Sequence, residues 1–184
     1  MTVLSRGLLY DLKVLDDDGN AYSQETLQKA LNYIVGETGR EGPHVSYLTS
    51  CGRSDWATSH EDLIKMDPVN AETLKKVEDS IIVICLDSQP WCGKQGKLSA
   101  MLYGGEEVGN RWYDKHQVMI DPNGNVAACF EHSFSDGAVW ARWFNEVYCC
   151  IADIHSGYSP LPQLTLAKSA EPGELVHPLE VRTG

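Results

Sequence analysis

His132 is the residue whose type and spacing most directly indicate chemistry. It opens the pattern H-x-x-x-D-G, in which Asp136 and Gly137 follow where the backbone must turn from a strand into the next element. A neutral imidazole, with an unperturbed pKa of about 6.5, can take a proton from an alcohol or a thiol near neutral pH. That transfer is the general-base step of acyl transfer. Because a histidine at a strand end is more often structural than catalytic, the surrounding chain must decide between the two roles.

A β-hairpin is predicted to carry His132. Its strands, His116 to Asp121 and Val126 to His132, are joined through Asp121-Pro122-Asn123-Gly124, whose proline and glycine are typical of a type I turn. Strand alternation places Phe130 on the same face as His132 and directs Glu131 to the other face. We therefore expect Phe130 to lie beside the histidine on one face of the strand, where the family resemblance described below implies a substrate-channel role for it, and we do not expect a catalytic Glu131–His132 pair.

Asp136 is predicted to begin the next helix. An acid at the N-cap or in the first turn accepts backbone N–H groups and complements the helix dipole. The helix it precedes has an apolar stripe made of Val139, Trp143, Phe144 and Val147. Asp136 and Gly137 are thus interpreted as supports that hold the turn, and the family resemblance described below implies that Asp136 also orients the imidazole.

The rest of the chain is predicted to alternate between strands and helices. The expected elements are a strand at Leu8 to Leu15, a helix from Ser23 to near Gly36, a short strand at Val45 to Leu48, helices from Ser54 to Pro68 and from Asn70 to near Asp79, and a strand at Ile81 to Leu86. The last of these is apolar on both faces, which is typical of the middle of a sheet. This order predicts an α/β domain over residues 1–154 and a poorly structured tail over 155–184.

Composition excludes several classes of function. The net charge of −11 argues against binding to nucleic acid or to an anionic membrane, and no apolar run reaches the ~20 residues of a membrane helix. The N-terminus resembles neither a signal peptide nor a transit sequence, so a targeting segment is expected outside this chain. Six cysteines without a C-x-x-C pair indicate reduced thiols, and scattered histidines, including His116, His155 and His177, predict no metal site.

Several ordered motifs resemble the choline/carnitine O-acyltransferase family, and within it the mitochondrial, palmitoyl-transferring branch. They cover most of residues 3–150, and the resemblance is expected to end near Tyr148. The motifs are Tyr47-Leu48-Thr49, Arg53-Ser54-Asp55-Trp56-Ala57, Glu72 to Glu78, Cys85-Leu86-Asp87, Met101 to Gly105, Asn110-Arg111-Trp112-Tyr113-Asp114-Lys115, Phe130-Glu131-His132-Ser133 and Arg142 to Tyr148.

The resemblance implies a fold, a reaction and a set of partners. The fold would be part of the two-layer CoA-dependent acyltransferase sandwich of the chloramphenicol acetyltransferase type, a mixed sheet with flanking helices. The reaction would be reversible transfer of a fatty acyl group between CoA and the hydroxyl of carnitine, with His132 as general base. Acyl-CoA and carnitine would be substrates, with no bound cofactor. The location would be mitochondrial, with peroxisomal or cytoplasmic location as alternatives.

The resemblance also leaves alternatives open. Family members are several times longer, so a missing C-terminal half is expected to supply the CoA-binding loop and the groups that hold carnitine. Arg111, Asp114 and Lys115 are interpreted as a structural ion-pair network rather than a phosphate site. The alternative functions are a catalytically inactive remnant that binds a partner, and a choline or short-chain carnitine acetyltransferase.

Overall fold

The fold is built on one mixed β-sheet. A computed structural model describes residues 1–37, 39–105, 107–133, 135–155 and 165–183, without the side chains of 153–155. The described strands are β1 (Thr2–Ser5), β2 (Leu8–Leu12), β3 (Val83–Leu86), β4 (Gln117–Ile120), β5 (Val126–Cys129) and β6 (Val176–Leu179). They form a six-stranded sheet in the order β5-β4-β3-β1-β2-β6.

Helices flank this sheet. The described helices are α1 (Gln24–Gly36), α2 (Arg53–Met66), α3 (Pro68–Asp79), α4 (Gly93–Tyr103), α5 (Gly137–His155) and α6 (Pro172–Leu175), with a 3₁₀ helix at Val45–Ser50. This arrangement confirms the predicted α/β class. Within the described residues, no helix is both long and apolar enough to cross a membrane.

The middle of the sheet is buried on both faces, as predicted for the apolar strand β3. Strand β3 pairs in parallel with β1 on one side and β4 on the other, with Val83 opposite both Thr2 and Gln117. Alternate side chains enter two separate cores: Cys85 packs with α2 and α3 side chains, whereas Leu86 joins a cluster that includes Ile34 of α1. The double coverage explains why this strand has no polar face.

The predicted start of α1 is confirmed, whereas the strand predicted at Val45 to Leu48 is wrong. Helix α1 starts where Ser23 Oγ accepts the N–H of Thr26 at 3.2 Å. The segment Val45–Ser50 is a 3₁₀ helix instead of a strand. Hydroxyl side chains support its turns, since Thr49 Oγ1 donates to the carbonyl of Ser46 at 2.6 Å.

The N-cap of α3 is Asp67 instead of Asn70. The Asp67 carboxylate accepts the N–H of Val69 at 2.8 Å, and Pro68 follows at the first helical position. Asn70 is buried inside the helix, where its Nδ2 donates to the carbonyl of Leu63 at 2.9 Å. The polar side chain that was predicted to start α3 therefore links it to α2.

The prediction of a poorly structured tail over 155–184 is wrong for residues 172–179. A capping box formed by Glu171 and Glu174 begins α6, and Leu175 is fully buried. The next four residues form β6, which pairs antiparallel with β2 and places Tyr10 opposite Pro178. The short strand was hidden in the sequence because a proline interrupts its alternation, which an edge strand tolerates. Residues 156–164 and 184 lie outside the described part of the chain.

Candidate functional site

His132 lies in a turn between β5 and α5. Strand β5 ends at Cys129, so the histidine follows the strand and does not close it as predicted. The side chain is exposed, and its imidazole forms no hydrogen bond with any other residue that the structure describes. An accessible imidazole on a turn at the edge of the sheet is available to a substrate but is not oriented by a polar partner within these residues.

Glu131 and Ser133 shape this turn. The Glu131 carboxylate accepts the backbone N–H of Ser133 at 3.0 Å and also accepts its hydroxyl. The side-chain and backbone hydrogen bonds from Ser133 hold the pKa of Glu131 below its usual value. These bonds explain why the strand stops before His132, because they fold the chain across the histidine. The E-x-S spacing was the available signal, and the sequence analysis missed it.

Asp136 caps helix α5, as its position predicted. Its Oδ1 accepts the N–H of Ala138 at 3.1 Å, and its carbonyl accepts the N–H of Val139 at 3.1 Å. Gly137 is the first residue of the helix. No hydrogen bond joins Asp136 to His132 in the part of the chain that is described, so a direct role in orienting the imidazole stays a prediction.

Phe130 belongs to an aromatic cluster. Its ring stacks on Trp140 of α5 with centroids 4.4 Å apart and an interplanar angle of 12°. Phe144 meets Phe130 edge-on at 5.6 Å, and Trp143 meets Trp140 at 5.9 Å. The predicted channel-lining role of Phe130 stays untested, whereas its contact with α5 is a feature that strand parity did not anticipate.

His116 is a second histidine near the turn, and sequence reasoning gave it no role. It immediately precedes β4, is 5% exposed, and lies 4.2 Å from Trp140 between ring centroids. Burial lowers the pKa of its imidazole below the usual 6.5. The signal that could have located it is its place at the start of the strand that pairs with β5.

A cavity of about 330 Å³ opens beside this turn. The residues that line it include Glu131 and Ser133 of the turn, together with Asp79, Asp114 and Lys115. Two of the charged groups are held by the protein itself: Asp114 pairs with Arg53 and accepts Trp56 Nε1 at 2.8 Å, whereas Lys115 Nζ donates to the carbonyl of Ser80 at 2.8 Å. Asp114 and Lys115 are therefore already engaged by the protein itself and are not open charges for a ligand.

Arg111 is part of a buried ion pair at the other end of β3. Its guanidinium donates to both carboxylate oxygens of Asp87 at 2.6 Å. Arg111 and Asp114 each form an ion pair, but with Asp87 and Arg53 respectively and not with each other, and Lys115 binds backbone carbonyls, so the three residues have structural contacts without forming the predicted network. Because β4 and β5 are antiparallel, the C-terminal end of β3, where this ion pair lies, is level with the start of β5, whereas His132 follows the end of β5.

The described residues contain no group of three or more His, Cys, Asp or Glu side chains that could hold a metal ion. His132 and Asp136 are likewise not joined into a ligand set. All six cysteines are free thiols.

A family model described as choline/carnitine O-acyltransferase matches residues 1–181. The chain belongs to that family. The match extends beyond Tyr148, where the resemblance was expected to end, and includes the α6–β6 segment that completes the sheet.

Individual relatives agree with this assignment. The chain is 39% identical over 151 residues to the mitochondrial carnitine O-palmitoyltransferase 2 of Rattus norvegicus, which covers 80% of this chain and 22% of the relative. The corresponding Homo sapiens protein is 38% identical over the same coverage. Carnitine O-acetyltransferase of Mus musculus is 30% identical over 147 residues, covering 74% of this chain and 23% of that protein. The chain thus aligns with about a fifth of the length of these relatives.

Proposed function

We propose that this chain is the histidine-bearing part of a carnitine O-acyltransferase of the long-chain, palmitoyl type. In this proposal the hydroxyl oxygen of carnitine attacks the thioester carbonyl of an acyl-CoA while His132 takes the hydroxyl proton. The carbon–sulfur bond then breaks, and the CoA thiolate recovers the proton from His132. Acylcarnitine and CoA are the products, and no resident cofactor takes part.

The observation that carries the proposal is the location of His132 within a family-matched segment. The imidazole is exposed on a turn that Glu131, Ser133 and Asp136 hold by local hydrogen bonds. A general base must reach the proton that it removes, which requires this accessibility. We further propose that the six-stranded sheet is one part of the two-layer CoA-dependent acyltransferase sandwich.

Helix α5 exposes apolar side chains that a further part of the protein could cover. It is a 19-residue helix, and no side chain of residues 137–152 is buried. Val139, Trp143, Tyr148 and Ile151 are between 40% and 73% exposed. Exposed apolar faces of this kind mark interaction sites. We propose that the rest of a family-length enzyme covers α5 and supplies the CoA-binding and carnitine-binding groups.

The test is an assay of the purified chain with palmitoyl-CoA and carnitine, in which free CoA is measured with a thiol reagent. Because the groups that bind CoA and carnitine are proposed to lie in the rest of a family-length enzyme, we expect only slow carnitine-dependent CoA release, which His132→Ala abolishes while circular dichroism stays unchanged. The matched control is His177→Ala, an exposed histidine on the opposite edge strand β6, which should leave the rate unchanged. Full turnover in His132→Ala would remove His132 from the mechanism.

The substrate range needs a separate comparison. Acetyl-CoA in place of palmitoyl-CoA, and choline in place of carnitine, test the alternative of a short-chain or choline acyltransferase. Preference for palmitoyl-CoA with carnitine supports the proposed type, whereas faster turnover of the acetyl substrate favours the alternative. If the chain releases no CoA from any of these pairs, adding the C-terminal portion of a family member in trans tests whether the missing groups limit the rate.

A second candidate function is that of a non-catalytic binding module. The same exposed face of α5 favours it, because an apolar helix face can dock a partner without any chemistry. Dye binding and self-association of the purified chain, both lost on Trp143→Glu, are the expected signs of an open face. A monomer that binds no dye would contradict this candidate.

A mitochondrial location is part of the proposal, because relatives whose names specify mitochondria share this segment. Cell fractionation with an antibody against the chain tests it. Recovery with peroxisomes or with the cytosol would replace it by one of the two alternatives.

A further inference from the structure

The loop that carries His132 is closed by two stacked aromatic rings. Phe130 directly follows β5, and Trp140 lies in the first turn of α5. Their rings are nearly parallel, at 12°, with centroids 4.4 Å apart, so the two ends of the turn that carries His132 are in contact. This contact adds to the local hydrogen bonds that Glu131, Ser133 and Asp136 make in the turn.

His116 supports the closure from the neighbouring strand. Its ring lies 4.2 Å from Trp140 and 5.9 Å from Phe130, so it contacts both ends of the loop. The backbone carbonyl of His116 accepts the N–H of Val83 at 2.9 Å, which fixes the residue to the central strand β3. The imidazole thus connects the rigid middle of the sheet to the loop at its edge.

The groups around His116 determine how it responds to a proton. Rings of Phe130 and Trp140 meet it from the loop and from α5, Glu131 faces it from the turn, and Lys115 faces it from its own segment. Burial is the largest influence and favours the neutral imidazole, Glu131 favours the charged form, and Lys115 opposes it.

We propose that His116 is a positioning residue for His132: its neutral ring supports the Phe130–Trp140 stack that closes the loop, and its protonation releases the loop. The inference rests on the proposed function of His132 as the general base. It predicts that the loop is closed in neutral solution and loosens in mildly acidic solution. The position of the His132 imidazole should then change together with the protonation of His116.

The direction of the pH effect follows from linkage. The pKa of His116 is lower in the folded protein than its usual 6.5, so the unfolded state binds more protons between the two values. Its contribution to stability is complete above pH 6.5 and is lost as the pH falls toward the folded pKa. The loop is therefore expected to open below pH 6.5.

Tryptophan fluorescence tests the contact independently of any activity. Protonated imidazole quenches a neighbouring indole, so emission of the purified chain should fall as the pH is lowered, with a midpoint below 6.5. In a His60→Gln background, which removes the imidazole that lies 5.4 Å from Trp56, His116→Gln should abolish this transition, and the matched control His177→Gln on β6 should retain it. A transition that persists in His116→Gln, or a midpoint at or above 6.5, would overturn the proposal.

The effect on His132 is measured by NMR of its ring protons. We expect the His132 signals to show an inflection that follows the titration of His116. His116→Phe, which keeps a ring but cannot titrate, should remove that inflection and keep the wild-type chemical shift of His132 at neutral pH. His116→Ala should instead shift the His132 signals at neutral pH. Identical His132 spectra in all three proteins would sink the proposal, whereas loss of transferase activity alone bears on the role of His132 and not on this coupling.

Discussion

The Asp87 carboxylate and the Arg111 guanidinium form a two-point ion pair inside the protein, with two nitrogen–oxygen distances of 2.6 Å. The side chains are 2% and 0% exposed. Asp87 also accepts Asn110 Nδ2 and Trp91 Nε1, each at 2.9 Å, and Arg111 Nε donates to the carbonyl of Ala100 at 3.0 Å. The pair therefore connects the end of β3 to α4 and to the segment before β4.

Asp87→Asn should be strongly destabilising. It keeps the volume of the side chain but leaves the Arg111 charge buried without a counter-ion, a loss that typically costs about 3–5 kcal/mol. Urea unfolding followed by circular dichroism measures the change. The control is Glu146→Gln, which breaks the exposed pair with Arg142 on α5 and should leave the midpoint unchanged. Equal midpoints for the two variants would refute the structural role of the buried pair.

The folding stability of the protein should depend on pH through the ionisation of the Asp121 carboxyl group. Burial favours its neutral form, but hydrogen bonds from the N–H of Trp91 and from Asn125 and Asn123 outweigh this and lower its pKa below the usual 3.8. Its stabilisation is thus complete above pH 3.8 and is lost as the pH falls through the lower folded pKa.

We expect Asp121→Asn to be less stable than the wild type at neutral pH, by about 1–3 kcal/mol for a buried acceptor that is lost. Melting temperatures measured between neutral pH and strong acid should show that this gap narrows below pH 3.8. If the difference in melting temperature between the wild type and Asp121→Asn is the same at every pH, the carboxylate charge contributes nothing to folding stability.

Cys85 should be unreactive in the folded protein. Its thiol is fully buried in the core under the sheet, and burial raises its pKa to about 12. Cys51, Cys92 and Cys149 are exposed. Titration with a chromogenic disulfide at pH 8 should modify these three rapidly and Cys85 only after denaturant is added. Cys92→Ser should remove one fast-reacting thiol and Cys85→Ser none; a fast thiol that disappears in Cys85→Ser would contradict the buried assignment.

Sequence patterns predicted the elements whose stabilising contacts are local or whose burial is complete. Ser23 and Asp136 cap their helices because a side-chain oxygen and the N–H it accepts are two or three residues apart. The double burial of β3 likewise leaves a visible run of apolar residues. Both signals are contained in a short stretch of chain, and both were recognised.

The features that were missed depend on distant parts of the chain. Strand β6 is stable only because β2 offers it an open edge, and Asn70 is buried only because the carbonyl of Arg182 accepts its Nδ2 at 2.9 Å. The contact between His116 and Trp140 joins two elements that no local pattern relates. For the candidate site, the sequence thus identified the histidine that could act as a base but not the buried His116 that contacts Phe130 and Trp140 beside it.

Gly104 and Gly124 have similar backbone conformations, but only Gly104 is packed closely against another part of the chain. Gly104 has φ +80° and Gly124 has φ +75°, so an alanine is strained at either position by about 1–2 kcal/mol. A Cβ at Gly104 would lie 2.5 Å from Val108 Cα, whereas a Cβ at Gly124 would meet nothing within 4 Å. Gly104→Ala should therefore lower the unfolding midpoint clearly more than Gly124→Ala. If both variants lower the urea unfolding midpoint equally, the backbone at Val108 moves away from the new Cβ without a cost in stability.

Asp136→Ala should lower stability and the activity that depends on His132. The variant loses the hydrogen bond from the N–H of Ala138, and loss of an N-cap typically costs about 1 kcal/mol. Because α5 begins five residues after His132, fraying of its first turn also loosens the loop that carries the base. Asp136→Asn, which keeps an acceptor oxygen at the cap, is the matched control and should retain most of the stability. Melting temperature and carnitine-dependent CoA release are measured on both variants. If Asp136→Asn keeps its melting temperature but loses turnover, the carboxylate charge acts on the reaction beyond its role as a cap; if Asp136→Ala changes neither quantity, the cap has no role at this site.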